Sequence, residues 1–435
     1  MKYSVITFGC RVNQADSLGF EEELCAAGAS ASSPEEADLV VVNTCSVTSS
    51  ADQGARQTIR RIARTNPDAR IVVTGCYATR RPDEVGTLPN VLSVVVNDDK
   101  PRLVALLGRE VMTPTGRDPG APSSDALDQV PSFAGLTTAE RFGAGEGSCG
   151  AAIEPGVAGR TAFTLRVQTG CAEPCSYCII PTTRGVPRSV AIDIVVREVA
   201  RVVAAGFKEV ALTGVHLGSY GRDLSPATSL VELLAALGRL PFDHHVLFRI
   251  SSLEPMDCTP DIVALVAKHD VFAPHFHLPL QHASNTVLAA MRRPYTIEQY
   301  STLVEGIRSR IPHAAIGSDV IVGFPGETDE DFEALAAYLE RSPLTHLHVF
   351  PYSDRPGTLA AGFEGKVPGA IVRERAARVR SISAALSARF RASQVGTMHR
   401  ALTLDDGSVA VTGNYLKVSV PPGHRRNEWI TVVIS

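Results

Sequence analysis

Apolar residues are spaced in three different ways along this chain, and each spacing predicts a different kind of element. Before residue 80, three short runs rich in Val and Ile each end on a cysteine: YSVITFGC at Cys10, DLVVVNTC at Cys45 and RIVVTGC at Cys76. Runs that are apolar at successive positions, without alternation, read as parallel strands buried on both faces. Between them, Gln14 to Ala27 and Ser50 to Thr65 carry helix-forming residues flanked by Gly or Pro. A fourth run, NVLSVVV, ends near Asn97 and precedes a helix expected from about Pro101. This βαβαβαβ order predicts an open parallel sheet with crossover helices over residues 1–112.

A stretch rich in Pro, Gly, Ser and Ala, residues 113–159, breaks the pattern and reads as a linker. From residue 160 to 370, strand candidates alternate with helical tracts. The strands are TAFTLRVQTG, EVALTGVHLG, HVLFRISSLEP, HFHLPLQH, AAIGSDVIVGF and HLHVFPYS. The helices lie near Val190–Ala205, Ser229–Leu240, Asp261–His269, Ile297–Ile311 and Glu330–Arg341. Six strands with crossovers predict a partial (β/α)6 barrel rather than a closed eight-stranded one. Residues 371–435 open with a helix over Ile371–Arg391. Short segments follow, HRALTL, SVAVTGNYLKVSV and EWITVVI, separated by DDG and PPG, which predict a small antiparallel β unit with hairpin turns. The fold class is therefore α/β, with a small β domain at the end.

Composition narrows the function classes without choosing among them. The 435 residues are 44% hydrophobic and 20% charged with net charge −4, so a polyanion-binding surface has to be local. The opening MKYSVITFGC has no apolar stretch long enough for a signal or a membrane span, which predicts a cytoplasmic protein without a membrane partner. Nine cysteines in a reducing compartment read as metal ligands or buried small apolar residues rather than disulfides.

The placement of those cysteines carries the chemistry. Parallel strands present their carboxyl ends along one edge, so Cys10, Cys45 and Cys76 are expected to converge on one rim. A single buried free cysteine is common, but three at equivalent strand ends point to ligation. Cys171, Cys175 and Cys178 in CAEPCSYC have Cys-x3-Cys-x2-Cys spacing. Three thiolates leave a cubane iron–sulfur cluster with one open iron, where a small molecule can bind. Cys25 falls mid-helix in FEEELCAAGA and reads as core; Cys149 and Cys258 have no neighbour at ligand spacing. Polar groups gather at the barrel strand ends: Gly214 and His216, Ser252 and Glu254, then His277, Gln281 and His282, then Gly323, Gly326 and Glu327. Individually these read as capping or core groups; together they read as a site lining. The C-terminal helix carries Arg373, Arg375, Arg378, Arg380, Arg389 and Arg391 against the single acid Glu374. Arg400, Lys417, Arg425 and Arg426 make the β unit basic, so this end is the nucleic-acid candidate.

The CAEPCSYC segment resembles the radical S-adenosylmethionine (SAM) enzymes. The whole order of parts resembles their methylthiotransferase family, through FGCRVNQADS, NTCSVT, TGCYA, CAEPCSYCIIP, RISSLEP, LPLQHASNTVLAAMRRPYT and DVIVGFPGET. The resemblance implies a radical SAM barrel, a C-terminal TRAM domain and two [4Fe-4S] clusters. Cys171, Cys175 and Cys178 would hold the SAM-cleaving cluster, and Cys10, Cys45 and Cys76 the auxiliary one. Tyr177, Gly214, Ser252, Glu254, Gln281 and Glu327 are the candidates for SAM contacts, and Arg400, Lys417, Arg425 and Arg426 for RNA contacts. The family implies one SAM for methylating sulfur on the auxiliary cluster and a second for activating the substrate carbon. It also implies an electron donor such as flavodoxin or ferredoxin. GCRVN and NTCSVT look like the branch that modifies N6-threonylcarbamoyladenosine at tRNA position 37, beside the anticodon. The isopentenyladenosine branch usually reads NTCSIRE, with Arg and Glu where this chain has Thr48 and Ser49; the ribosomal-protein branch reads NTCGFI. Two other classes stay open on residues alone: an RNA-binding iron–sulfur sensor without catalysis, and a zinc protein.

Overall fold

The computed structural model describes residues 1–108 and 161–435. The expected linker and Cys149 lie outside the described residues. Two compact units emerge among the described residues, one from residues 1–108, Ile179–Val186 and Asp193–Glu198, the other from residues 161–178, Pro187–Ile192 and Val199–Ser435.

The first unit holds a five-stranded, all-parallel sheet of order β2-β1-β3-β4-β5. Its strands are β1 (Lys2–Thr7), β2 (Ser30–Ala31), β3 (Leu39–Thr44), β4 (Arg70–Gly75) and β5 (Val91–Val95). The reason for the unbroken apolar runs is visible in the packing. Val40, Val42, Ile71 and Val73 meet Ile59 and Ile62 of helix Ser49–Thr65 on one face. Leu39, Val41 and Val72 meet Phe20 and Leu24 of helix Arg11–Ala26 on the other. Alternate residues point to opposite faces, and both faces are covered. The sheet and its helices match the expectation. The two-residue edge strand β2 was too short to leave a pattern, and the helix expected near Pro101 is a 3-10 turn, Lys100–Arg102, running into Leu103–Leu106.

The second unit contains the six expected strands. They are β6 (Phe163–Arg166), β9 (Glu209–Thr213), β10 (Leu247–Ile250), β11 (His275–His277), β12 (Ala315–Val322) and β13 (His346–Pro351), while β7 (Gln168–Thr169) and β8 (Arg188–Ser189) form a small antiparallel pair. β6, β9 and β10 pair in parallel, as do β11, β12 and β13. The two halves join through a Phe248–Phe272 bridge, with Ala273 N–H donating to the Phe248 carbonyl at 2.8 Å. The strands thus follow one another in chain order, and among the described residues β6 and β13 each pair on one side only. That is an open arc, as a partial barrel requires.

Helix Gly369–Gln394 leads into a four-stranded antiparallel sheet of order β16-β15-β14-β17: β14 (Met398–Leu404), β15 (Val409–Thr412), β16 (Lys417–Ser419) and β17 (Trp429–Val433). SVAVTGNYLKVSV is not one segment. It folds back after Thr412, whose N–H donates to the Leu416 carbonyl at 3.0 Å, with Tyr415 at φ +67° in the turn. The sheet is tied to the barrel by Arg249 of β10, a fully buried side chain. Arg249 pairs with Glu209 at 2.9 Å, donates to the Gly413 carbonyl at 3.0 Å and lies over the Tyr415 ring. Trp429 closes the same seam by donating from Nε1 to the His245 carbonyl at 2.9 Å.

Replacing Arg249 with Ala leaves the Glu209 carboxylate buried without its charge partner, an effect worth about 3–5 kcal/mol. Arg249→Ala is expected to lower the denaturation midpoint. Because Trp429 is the only tryptophan, its fluorescence should move to the unfolded position at lower denaturant than in the wild type; an unchanged midpoint would show that Arg249 does not hold the sheet in place.

Candidate metal centres

In the first unit, Cys45 and Cys76 follow β3 and β4 directly, Cys10 comes three residues after the end of β1, and all three have free thiols. Two glycines bring the strand ends together. Gly9, at φ +89°, lies so close to Cys45 that a Cβ there would sit 2.5 Å from its Sγ. Gly75, at φ +98°, lies against Thr44, whose carbonyl oxygen would be 2.2 Å from an added Cβ. Only glycine takes that backbone and leaves that space. Asn13, fully buried, fixes the rim by donating from Nδ2 to the carbonyls of Phe8 at 2.8 Å and Thr44 at 2.9 Å. Asn43 returns a bond to the Asn13 carbonyl at 2.8 Å and reaches Ser17 Oγ at 3.0 Å. The FGCRVNQADS motif is thus a brace between strand ends.

Two buried cations face these thiols. Lys100 Nζ sits 2.7 Å from Asp16 and 3.2 Å from Asn13 Oδ1. Arg184, from the short helix Ile180–Arg184, contacts Asn13 Oδ1 and lies 3.4 Å from Asp16. Burial pushes the Cys76 thiol up, but the Arg184 and Lys100 charges outweigh it and hold Cys76 below the ordinary thiol value. Cys45 is pushed up to about 11, by burial first and then by the neighbouring Cys10 and Cys76. The three sulfurs therefore share one electrostatic site.

In the second unit, Cys171, Cys175 and Cys178 follow β7 on a partly exposed loop. Arg293 donates to Cys175 Sγ at 3.2 Å, pairs with Glu254 and donates from Nε to Tyr295 Oη at 3.1 Å. Tyr295 in turn donates to the carbonyls of Pro279 and Leu280 at 2.8 and 3.0 Å. Burial raises the Cys175 thiol against the opposing Arg293 charge. His216 stands beside Cys171. Burial alone would lower it, but hydrogen bonds to Asp257, at 2.8 Å, and to Cys171 outweigh that and raise it to about 10. Gln168 accepts from His216 N–H at 2.8 Å and donates to the Thr169 and Gly170 carbonyls, both at 2.8 Å, which fixes the approach to Cys171.

Comparison with known proteins agrees with this layout. Residues 2–97 match the model described as uncharacterized protein family UPF0004, and residues 165–339 match the radical SAM superfamily. The chain is 35% identical to the threonylcarbamoyladenosine tRNA methylthiotransferase MtaB of Aquifex aeolicus, over 96% of each chain. The chain belongs to the radical SAM methylthiotransferase family. It is also 33% identical to a tRNA-2-methylthio-N(6)-dimethylallyladenosine synthase of Streptomyces viridosporus, over 91% of this chain and 75% of that one. Among solved structures it resembles the radical SAM methyltransferase TsrM from Kitasatospora setae, determined with cobalamin and a [4Fe-4S] cluster bound. The TM-score is 0.52 at 15% identity, over 83% of this chain and 74% of that one, which speaks to the fold alone.

Family members carry two [4Fe-4S] clusters and use SAM, and the donor sets here fit that: two groups of three free thiols, each with a buried arginine beside a cysteine sulfur. The other expected residues are placed as follows. Glu254 lies in the Cys175 neighbourhood through Arg293. Gly214 packs so tightly on Gln168 that a Cβ would meet its Oε1 at 2.9 Å. Ser252 is exposed, and Gln281 is buried at φ +65° between Asp319 and Ile321 of β12. Tyr177 packs on the apolar cluster of Val287, Met291, Phe324 and Ala360. Glu327 accepts from the N–H groups of Gly323 at 2.7 Å and Phe324 at 3.2 Å and pairs with Arg375 at 2.5 Å. The helix cap beside it belongs to Thr328, which accepts from Asp331 N–H.

Sequence reasoning missed Arg184, Lys100 and Arg293. Arg184 stands just past CAEPCSYCIIP, but nothing local marks it as a partner of Asp16, 168 residues earlier. The basic C-terminal helix needs a correction: much of its charge is spent inside the chain. Arg375 pairs with Glu327 and Asp329, Arg378 with Glu333 at 2.9 Å, and Arg389 donates to the Glu340 and Ser342 carbonyls. These acceptors sit on or beside helix Asp329–Arg341, which the arginine helix packs against. Arg400, Lys417 and Arg425 are exposed, and Arg426 donates to the Asp405 carbonyl at 2.7 Å.

Arg184→Met keeps the volume and removes the charge. Reconstituted protein carrying it should lose the auxiliary cluster, down to about half the wild-type iron and sulfide, or hold it at a lower reduction potential because the added electron has lost a nearby cation. Elemental analysis with EPR-monitored redox titration measures both; wild-type iron and an unmoved potential would show that the charge is irrelevant to the cluster.

Proposed function

We infer that this protein is a methylthiotransferase that attaches a methylthio group at C2 of N6-threonylcarbamoyladenosine-37 in tRNA. The observation that carries the reading is the presence of two separate cysteine triads, one at the rim of the N-terminal sheet and one on the barrel loop. A catalyst that only generated radicals needs the second alone. When bound, the clusters and SAM supply the sulfur to be transferred and the radical that activates the substrate carbon.

The chain's own residues hold, screen and orient. Cys171, Cys175 and Cys178 hold the SAM-side cluster, Arg293 offsets the charge of Cys175, and the Arg293 pair fixes the Glu254 carboxylate. Cys10, Cys45 and Cys76 hold the auxiliary cluster, with Arg184 and Lys100 offsetting its charge. Gly214, Ser252, Glu254 and Gln281 are assigned to SAM. Tyr177 and Glu327 serve it indirectly, one as an apolar floor behind the cysteine loop and the other as a clamp on the GFPGE turn. Arg400, Lys417 and Arg425 are assigned to RNA. The reductant is assigned to the flavodoxin or ferredoxin class and the compartment to the cytoplasm; none of the described helices is long and apolar enough to cross a membrane.

The dimethylallyladenosine relative keeps a second substrate reading in view, because one of the two residues that separate the branches has another task here. Thr48 caps helix Ser49–Thr65 by accepting from Ala51 N–H at 3.2 Å, so its identity does not report on the substrate alone.

Mass spectrometry of tRNA nucleosides with and without the gene tests the assignment. Loss of 2-methylthio-threonylcarbamoyladenosine is expected; its persistence together with loss of the 2-methylthio-isopentenyl nucleoside would reassign the substrate. Cys45→Ala should lose about half the iron and all methylthiolation while still producing 5′-deoxyadenosine from SAM, whereas Cys175→Ala should lose that product as well. A Cys45→Ala protein that fails in both would refute the division of labour between the triads.

A further inference from the structure

Besides the cysteines, three neighbouring strands of the barrel carry a further set of ligand-type side chains. β11, β12 and β13 lie side by side in parallel, with His277 opposite Gly317 and Asp319 opposite His348. Asp319 Oδ1 is 2.9 Å from His277 Nε2 and 3.1 Å from His348 Nδ1, and the three ligand atoms all lie within 4.8 Å of one another. Two atoms bound to one metal ion at about 2.0–2.2 Å are themselves about 2.9–3.4 Å apart, so the carboxylate oxygen already stands at ligand spacing from both imidazoles.

The surroundings hold this arrangement in place. The position between His277 and Asp319 along the shared face is Gly317, where an added Cβ would strike the ring of His346 at 2.2 Å. His346 fills that space, anchored by Thr345 Oγ1 at 3.1 Å and stacked on His275, whose ring packs against Tyr415. The three ligands are therefore borne by strands rather than loops, which fixes their geometry. Access comes from one side: the His277 side chain is 12% exposed, Asp319 24% and His348 58%.

We propose that His277, Asp319 and His348 form a binding site for a divalent first-row transition ion, separate from the iron–sulfur ligands. Two imidazoles and one carboxylate suit Zn2+ or Fe2+, which accept mixed nitrogen and oxygen donors, over Mg2+ or Ca2+, which take oxygen alone. Three protein ligands leave coordination positions open on the His348 side, where an oxygen donor from solvent or from a bound partner completes the shell.

Zinc is the probe, because it is distinguishable from cluster iron by elemental analysis. Full-length protein with both clusters reconstituted is equilibrated with Zn2+ under anaerobic conditions, desalted, and assayed for zinc, iron and sulfide. The wild type is expected to retain one zinc per chain, and His348→Ala and Asp319→Asn to fall to background with iron and sulfide unchanged. His348 is more than half exposed, so its truncation leaves the fold intact even where Asp319→Asn does not. Absence of retained zinc in the wild type, or equal zinc in the wild type and His348→Ala, overturns the site; the second result would place the zinc elsewhere, on cysteines not filled by cluster. Neither result bears on the methylthiotransferase reading, which stands on the cysteine triads.

Discussion

A guanidinium stripped of water has to be met by acceptors from several directions, and the buried Arg184 sets what can be built around it. Asn13 and Asp16 come from the helix after Cys10, the Cys76 thiol from the end of β4, and Lys100 adds a second positive charge to the same pocket. Two cations buried side by side are tolerable only opposite a comparable amount of negative charge. Asp16 supplies one unit, and Cys76, held below the ordinary thiol value by those same charges, is placed to supply more as a thiolate. The strand ends, the FGCRVNQADS brace and the left-handed glycines all serve to keep that balance in one small volume.

The second centre repeats the principle with different parts. Arg293 meets a thiol, a carboxylate and a tyrosine, and the tyrosine is itself held by two backbone carbonyls. In both centres the arginine lies far in sequence from the cysteine it faces. Such contacts stiffen a site because each partner is fixed by a different element, and a cysteine on a partly exposed loop gains a rigid neighbour that the loop cannot provide.

How much of this was legible in the sequence follows from the range of each interaction. The parallel sheet was legible because residues such as Val41 and Val42 face opposite apolar layers, which forces an unbroken run. The cysteines were legible because a strand end is a local feature. The tie between Arg249, Glu209 and Gly413, the pairing of Lys100 with Asp16 and the reach of Arg293 to Cys175 were not, since a lone basic residue looks the same whether it faces water or a carboxylate, thiol or carbonyl 40 to 164 residues away. The turn inside SVAVTGNYLKVSV was hidden for the opposite reason: apolar alternation resumes within a few residues of the fold-back, and only Gly413 and Asn414 mark the break. Thr48 shows a further limit, because one threonine can be both a helix cap and a family marker, and the letters alone do not separate the two.

The arginines of helix Gly369–Gln394 set how this chain would grip a polyanion. An arginine whose guanidinium is already engaged by glutamate or by carbonyls displaces few condensed counterions when nucleic acid arrives, and counterion release is what makes such binding steepen as salt is diluted. With Arg375, Arg378 and Arg389 engaged within the chain, release of counterions would fall to exposed cations such as Arg400, Lys417 and Arg425. Affinity for a polyanion would then fall with ionic strength less steeply than the count of basic residues at this end suggests.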